Sequence, residues 1–176
     1  MKVRTVSRLL AGLAVVCLML TLGVSFALAD DDDGDRSGSR QSKACAHGGQ
    51  LERNKRNVVA YYETAFNDKD PEKAVRLYGG DRYIQHNPLA ANGFQAFIEF
   101  VNTFTGQFPD IHIDIRRVVA ECDLVVTHGL LTGTPFGALG SKVVDIFRVD
   151  RRGKIVEHWD VLAAISPTSA NGNPEV

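Results

Sequence analysis

At Pro109 the hydrophobic period of this chain changes from three-and-four to two. That switch divides it into a helical half and a stranded half. Before it, Leu51, Val58, Val59, Tyr62, Ala65 and Phe66 recur at spacings of three, four and seven with charges between them, which predicts an amphipathic helix. Asp70-Pro71 supplies a cap and first helical residue for a second, shorter helix. Its apolar face is Ala74, Val75 and Tyr78, and Gly79-Gly80 ends it. Asn92 stands as the cap of a third helix, with Gln95 where a capping box would place it. Phe94, Phe97, Ile98, Val101 and Phe104 form its aromatic stripe, and Pro109 closes it.

Beyond Pro109, Ile111, Ile113 and Ile115 alternate with His112, Asp114 and Arg116, the pattern of a half-buried strand. Glu121-Cys122-Asp123 reads as a turn and Leu124–Thr132 as the next strand. Gly133–Gly140 is a loop, Val143–Val149 a strand, Asp150–Gly153 a hairpin turn and Lys154–Ala163 the last strand. Three helices followed by four antiparallel strands predict an α+β domain, with the helices covering one face of a curved sheet. Such a packing leaves a conical space between the layers, and polar side chains on its inner face sit in a pocket of low dielectric.

The two ends read differently. Lys2, Arg4 and Arg8 precede an uncharged run from Leu9 to Ala29 that closes on Ala27-Leu28-Ala29 before Asp30, the order of a secretory signal. A retained membrane anchor is the alternative, because 21 uncharged residues just span hydrocarbon. Either way the domain is expected outside the cytoplasm. The acidic stretch that follows has no means of burying apolar surface, so residues 30–50 are expected to be a disordered linker. The domain then covers 51–165 and a frayed tail 166–176. Loss of the three leader cations from 20 basic residues leaves the remainder net acidic against 21 Asp and Glu, with no basic stripe, which argues against nucleic acid as a partner. No membrane contact is expected beyond the signal segment. Cys45 and Cys122 would survive export, where a disulfide between them is permitted; two unrelated thiols is the other reading.

Chemistry-bearing residues gather in the final hairpin. On the last strand Val156, His158 and Asp160 share one face, and Ile155, Glu157, Trp159 and Val161 the other. On the partner strand Asp145 and Phe147 share a face, so Asp145 and Asp160 can approach across the ladder. If both look into the hollow, two carboxylates share a dry site and one holds its proton more tightly, as a general acid or base requires. The alternative is a half-exposed sheet edge with Lys154 or Arg148 as ion-pair partners. His86, before Asn87-Pro88, is placed to donate to an oxyanion or else simply to cap its loop. His128, mid-strand among Val125, Val126, Leu130 and Leu131, is either a satisfied core histidine or a liner of the same hollow. Trp159 reads first as a core or interface aromatic. His158-x-Asp160 with His128 imitates an iron-holding set, but nothing else in the chain points to a metal, and none is expected.

Tyr83-Ile84-Gln85-His86-Asn87-Pro88 and the stretch Val144–Val149 through Gly153–Val161 carry a family resemblance. Together with the helix order, they resemble the SnoaL-like polyketide cyclases of the nuclear transport factor 2-like superfamily, in particular the subgroup predicted to catalyse aldol condensation. The resemblance runs from about Glu52 to Ile165. It implies a cone-shaped fold, frequent homodimers, and a reaction that needs no cofactor or metal. It also implies that Asp160 is the general base, and that Asp145 stands where the cyclases place a second polar residue, usually histidine.

Three functions follow. In the first, a small apolar or carbonyl-containing molecule enters the hollow, Asp160 removes a proton next to the carbonyl, Asp145 tunes or relays, and His86 or His128 steadies the enolate. His158, Tyr83, Phe97, Phe147 and Trp159 would bind the substrate. In the second, the same pocket holds an apolar ligand without turnover. In the third, a domain filled by Phe94, Phe97 and Phe147 pairs through its sheet, which requires a closed hollow and a broad apolar outer face.

Overall fold

The computed structural model describes residues 48–176. The expected signal segment, most of the acidic linker and Cys45 lie outside the described residues. Cys122 is disulfide-bonded. No described helix is long and apolar enough to cross a membrane.

Helix α1 (Gly48–Tyr62) runs into one wide π-helical turn, Glu63–Asn67. Then come α2 (Pro71–Tyr78), β1 (Gly79–Gln85), α3 (Phe94–Gln107), β2 (His112–Glu121), β3 (Leu124–Thr132), β4 (Ser141–Val149) and β5 (Ile155–Ala164). The expected linker therefore ends earlier than position 50, because α1 already begins at Gly48. The stripe that α1 buries is Asn54, Val58, Tyr61 and Tyr62, while Leu51 and Val59 stay half-buried. Asp70 caps α2 by accepting from the Lys73 backbone N–H at 2.9 Å, with Pro71 in the first turn. Helix α3 departs from expectation: Gly93 is its cap residue and no side chain caps it. Asn92 Oδ1 instead accepts from the Gln85 N–H at 2.8 Å, and Gln95 bonds to Glu99 one turn on. The asparagine is spent on tying the loop to β1.

The sheet has the order β1-β5-β4-β3-β2 and is open. Strands β2 to β5 form the expected antiparallel meander. The four-strand antiparallel sheet expected from the sequence is corrected by β1, a fifth strand that pairs parallel to β5 and makes the sheet mixed. Where a loop was expected, Gly79 and Gly80 let β1 lie against β5. A Cβ on Gly80 would stand 2.6 Å from Val156 Cγ1 and 3.0 Å from the Ile155 carbonyl. Parallel pairing across an intervening helix and three strands leaves no local sequence signal.

The helices cover one face of the sheet. Val58, Tyr61, Ala65, Val101, Val125, Phe147 and Ile155 form the centre of the core, all fully buried or nearly so. The tail has no helix or strand, but Glu175 folds back to accept from the Ser166 backbone and to pair with Lys142. At the end of β3, Gly133 has φ +71, and a Cβ there would fall 2.1 Å from the Asp110 carbonyl oxygen. Gly133→Ala combines a left-handed backbone with a backbone overlap and is expected to cost at least about 2 kcal/mol in urea unfolding. An unchanged midpoint would show that this turn rearranges freely.

Candidate acid–base site

The last hairpin sets the geometry. In the β4–β5 ladder Asp145 stands directly opposite Asp160, and Phe147 opposite His158. Side chains alternate across a strand, so all four share the helix-covered face. Next along β3, Thr127 pairs with Asp145 and also points inward, buried. Tyr62, the last residue of α1, reaches down onto this group from the helical layer.

Asp145 is 2% exposed and accepts three hydrogen bonds. Tyr62 Oη donates to Oδ1 at 2.8 Å, Thr127 Oγ1 to Oδ2 at 3.1 Å, and His158 Nε2 lies 3.2 Å from Oδ1. Tyr62 Oη is also 2.9 Å from His158 Nε2. On the other side of the imidazole, Nδ1 sits 3.0 Å from Gln85 Oε1. That oxygen also accepts from the Asn87 backbone N–H at 2.9 Å, which fixes the orientation of the amide and makes His158 Nδ1 a donor. Tyr62 Oη, Asp145 Oδ1 and His158 Nε2 thus form a closed triangle of polar contacts. Burial first, then the Asp145 charge, pushes the Tyr62 hydroxyl well above its ordinary value, so Tyr62 remains a protonated donor. Tyr83 is raised by burial and then by the charges of Asp145 and Asp160, and it accepts from Gln85 Nε2.

Asp160 is more open. It is half-buried, and Asn87 Nδ2 donates to its Oδ2 at 2.7 Å. One ligand atom from each of Asp145, His158 and Asp160 lies within 4.8 Å of the others, so one small group or water can touch all three. A cation is a chemical fit for these three atoms, but it would have to displace His158 from Asp145.

The hollow above them is open rather than plugged. A cavity of about 350 Å³ is lined by Tyr62, Phe66, Phe100, Phe104 and Phe136 as walls, with Asn87, Asp145 and Asp160 as its polar end. A smaller space of about 70 Å³ continues past Asp160 to Tyr83, Gln85, Phe97 and His158. Phe94 stacks on Tyr83, and Phe97 and Phe147 are core residues, so they fill the far end and leave the rest free. Leu89, 85% exposed, stands with Phe100, Phe136 and Leu162 at the mouth. A depression of similar size along α1 is shallow and bordered by the Lys55–Glu52 surface pair, away from any of this chemistry.

Four expected site residues lie elsewhere. His128 faces away from the hollow, because its neighbours Thr127 and Gly129 take the inward positions; its Nδ1 accepts from Arg117. His86 also lies outside the hollow, donating to Glu157 Oε1 at 2.8 Å and stacking on Trp159 at 4.5 Å. Trp159 is on the outer face, with the Arg148 guanidinium 5.7 Å above its ring. Neither these three nor Phe147, fully buried in the core, lines either space, so the enolate-steadying and substrate-binding roles expected of them are corrected. The surface-edge alternative for the aspartates is corrected too. Arg148 pairs with Asp123 and Glu157, and Lys154 donates to the Leu77 carbonyl. Burial works to raise the Glu157 carboxyl, but the bonds from His86 and Arg148 outweigh it and hold it below its ordinary value.

Tyr62, Thr127, Gln85 and Asn87 were not singled out from the sequence. Only Gln85 and Asn87 left a trace there, inside the motif around His86.

The sequence profile of the SnoaL-like domain matches residues 58–158, more than half of the chain, and spans every residue of the polar group except Asp160. The chain belongs to the SnoaL-like domain family. Solved structures agree on the fold. One is from Jannaschia sp. CCS1, assigned as a SnoaL-like polyketide cyclase, with 20% identity, 66% of this chain and 89% of that one covered, and a TM-score of 0.55. Another, assigned as a polyketide cyclase, is from Acidithiobacillus ferrooxidans, at 20% identity, 62% and 87% coverage and a TM-score of 0.54. TsrD from Streptomyces laurentii gives 17%, 66% and 90%, and 0.52. No curated protein matched. This SnoaL-like domain is α+β, consistent with the nuclear transport factor 2-like superfamily.

Proposed function

We propose that this SnoaL-like domain is an acid–base catalyst acting on a small apolar carbonyl compound, with Asp160 as the base that removes a proton next to the carbonyl. The observation that carries this reading is the cross-strand pair Asp145–Asp160 at the floor of an aromatic cavity. Asp160 has the better-placed lone pairs, because those of Asp145 are engaged by Tyr62, Thr127 and His158. Asn87 aims the Asp160 carboxylate, and Tyr62 and His158, which meet on Asp145 Oδ1, are the polar groups beside it nearest to a developing enolate oxygen. The neighbours assigned as polyketide cyclases favour cyclisation or isomerisation as the reaction type. No cofactor or metal is required by these groups. The test is exchange of the methyl protons of methyl naphthyl ketone in heavy water, followed by NMR. Catalysed exchange is expected; a rate equal to that of buffer alone would favour a ligand-binding module.

Export is proposed on the basic and apolar leader, Lys2 to Ala29. A homodimer is proposed on the outer sheet face, where Val119, Val126, Ile146, Trp159, Val144 and Val161 form an apolar strip over four strands. Val161, 69% exposed, is near its edge. Val161→Asp is expected to convert a dimer to a monomer in light scattering with little change in the fold. A wild-type monomer at high concentration would remove this part of the proposal.

A further inference from the structure

The cavity also carries information about the charge of what it takes. Among the described residues its walls and floor include no Lys or Arg: Tyr62, Phe66, Phe100, Phe104, Phe136, aliphatic residues, Ser141, Asn87 and the two aspartates make up the lining. The hydrogen-bond donors among these are already committed. Tyr62 donates to Asp145, Ser141 Oγ donates to the Phe136 carbonyl at 3.1 Å, and one amide hydrogen of Asn87 goes to Asp160. The one imidazole at this site among the described residues, His158, is engaged by Asp145 and Gln85 and borders only the smaller space. A carboxylate or phosphate entering this space would meet two acidic groups and only the second Asn87 hydrogen. An ammonium would meet the same field as an attraction, strengthened by the apolar surroundings. It would also find faces of Phe66, Phe100, Phe104 and Phe136 on which to rest.

We infer that the ligand of this site is an apolar molecule bearing a basic nitrogen, protonated when bound, and that anionic molecules are rejected. This rests on the reading of the cavity as a substrate pocket and narrows the substrate class to amino ketones rather than keto acids. The ammonium lies against the aromatic walls within the field of both carboxylates, and the carbonyl end lies at Asp160. Charge, rather than shape, then sorts candidates of equal size.

The test is calorimetric binding of three probes of matched shape: naphthylmethylamine, naphthylmethanol and naphthoate. The amine is expected to bind about tenfold or more tighter than the alcohol, the worth of one partly screened charge contact, and naphthoate weakest of all. Added salt should erode the preference for the amine and leave the alcohol unchanged. Asp160→Asn, an isosteric change at a half-buried position, should cut the amine's advantage several-fold and improve naphthoate. Naphthoate binding as well as the amine, an amine affinity indifferent to both salt and Asp160→Asn, or no binding by any probe at millimolar concentration would each overturn the inference. Failure here is distinct from failure of the catalytic reading. Selective amine binding without proton exchange would leave the charge preference standing and remove the enzyme. Exchange accompanied by a preference for naphthoate would do the reverse.

Discussion

Asp160→Asn is expected to slow the exchange of methyl naphthyl ketone by about 10²- to 10⁴-fold, the range that a positioned general base supplies. The amide has the size of the carboxyl, and its oxygen can still accept from Asn87 Nδ2, so the loop around Asn87 keeps its anchor. Because Asp160 is half-buried and makes that one hydrogen bond among the described residues, the melting temperature should stay within about 3 °C. A fall in rate matched by a fall in stability would mark Asp160 as a structural residue. An unchanged rate would move the base to another group, with Asp145 the next in line.

Phe147→Ala is expected to have the largest effect on stability, about 3–5 kcal/mol in urea unfolding. The ring is fully buried, with its centroid 4.9 Å from that of Tyr62, 4.8 Å from His158 and 6.4 Å from Tyr61. Truncation removes the support on which both Tyr62 and His158 rest, so exchange activity should fall even where the protein remains folded. Phe147→Leu fills most of the same volume and should cost less than about 1.5 kcal/mol. That contrast separates packing from any role particular to the aromatic ring. A loss below about 1 kcal/mol for the alanine variant would mean the core closes over the gap.

The two periodicities were strong enough to place α2 and all four strands of the meander to within a few residues. The face assignment on the last hairpin followed from alternation alone, and Asp145 and Asp160 pair as that alternation required. Where the sequence was silent, the cause was nonlocal. Strand β1 begins with Gly-Gly-Asp-Arg, a poor strand sequence by any local measure, and is held by pairing with a strand some seventy residues away in the chain. Tyr62 looked like one more apolar position on a helical stripe, because nothing local tells a buried hydroxyl with a partner from one without. His86 and Asn87 are adjacent, yet they end on opposite sides of β5. His86 bonds to the outward Glu157 and Asn87 to the inward Asp160. The motif was legible, but which of its two polar residues faced the hollow was decided by the edge strand that the sequence did not reveal. His128 was misplaced for a simpler reason. With Thr127 inward, its neighbour must point out, and the hydroxyl of Thr127 had a buried carboxylate waiting for it.

The most direct test of the site is a crystal structure of the protein soaked with methyl naphthyl ketone. The naphthyl body should lie against Phe100, Phe104 and Phe136, with the methyl carbon in contact with an Asp160 oxygen and the ketone oxygen toward the His158–Asp145 pair. A ketone bound only on the outer sheet face, or seated in the cavity with its methyl group turned away from both carboxylates, would contradict the account.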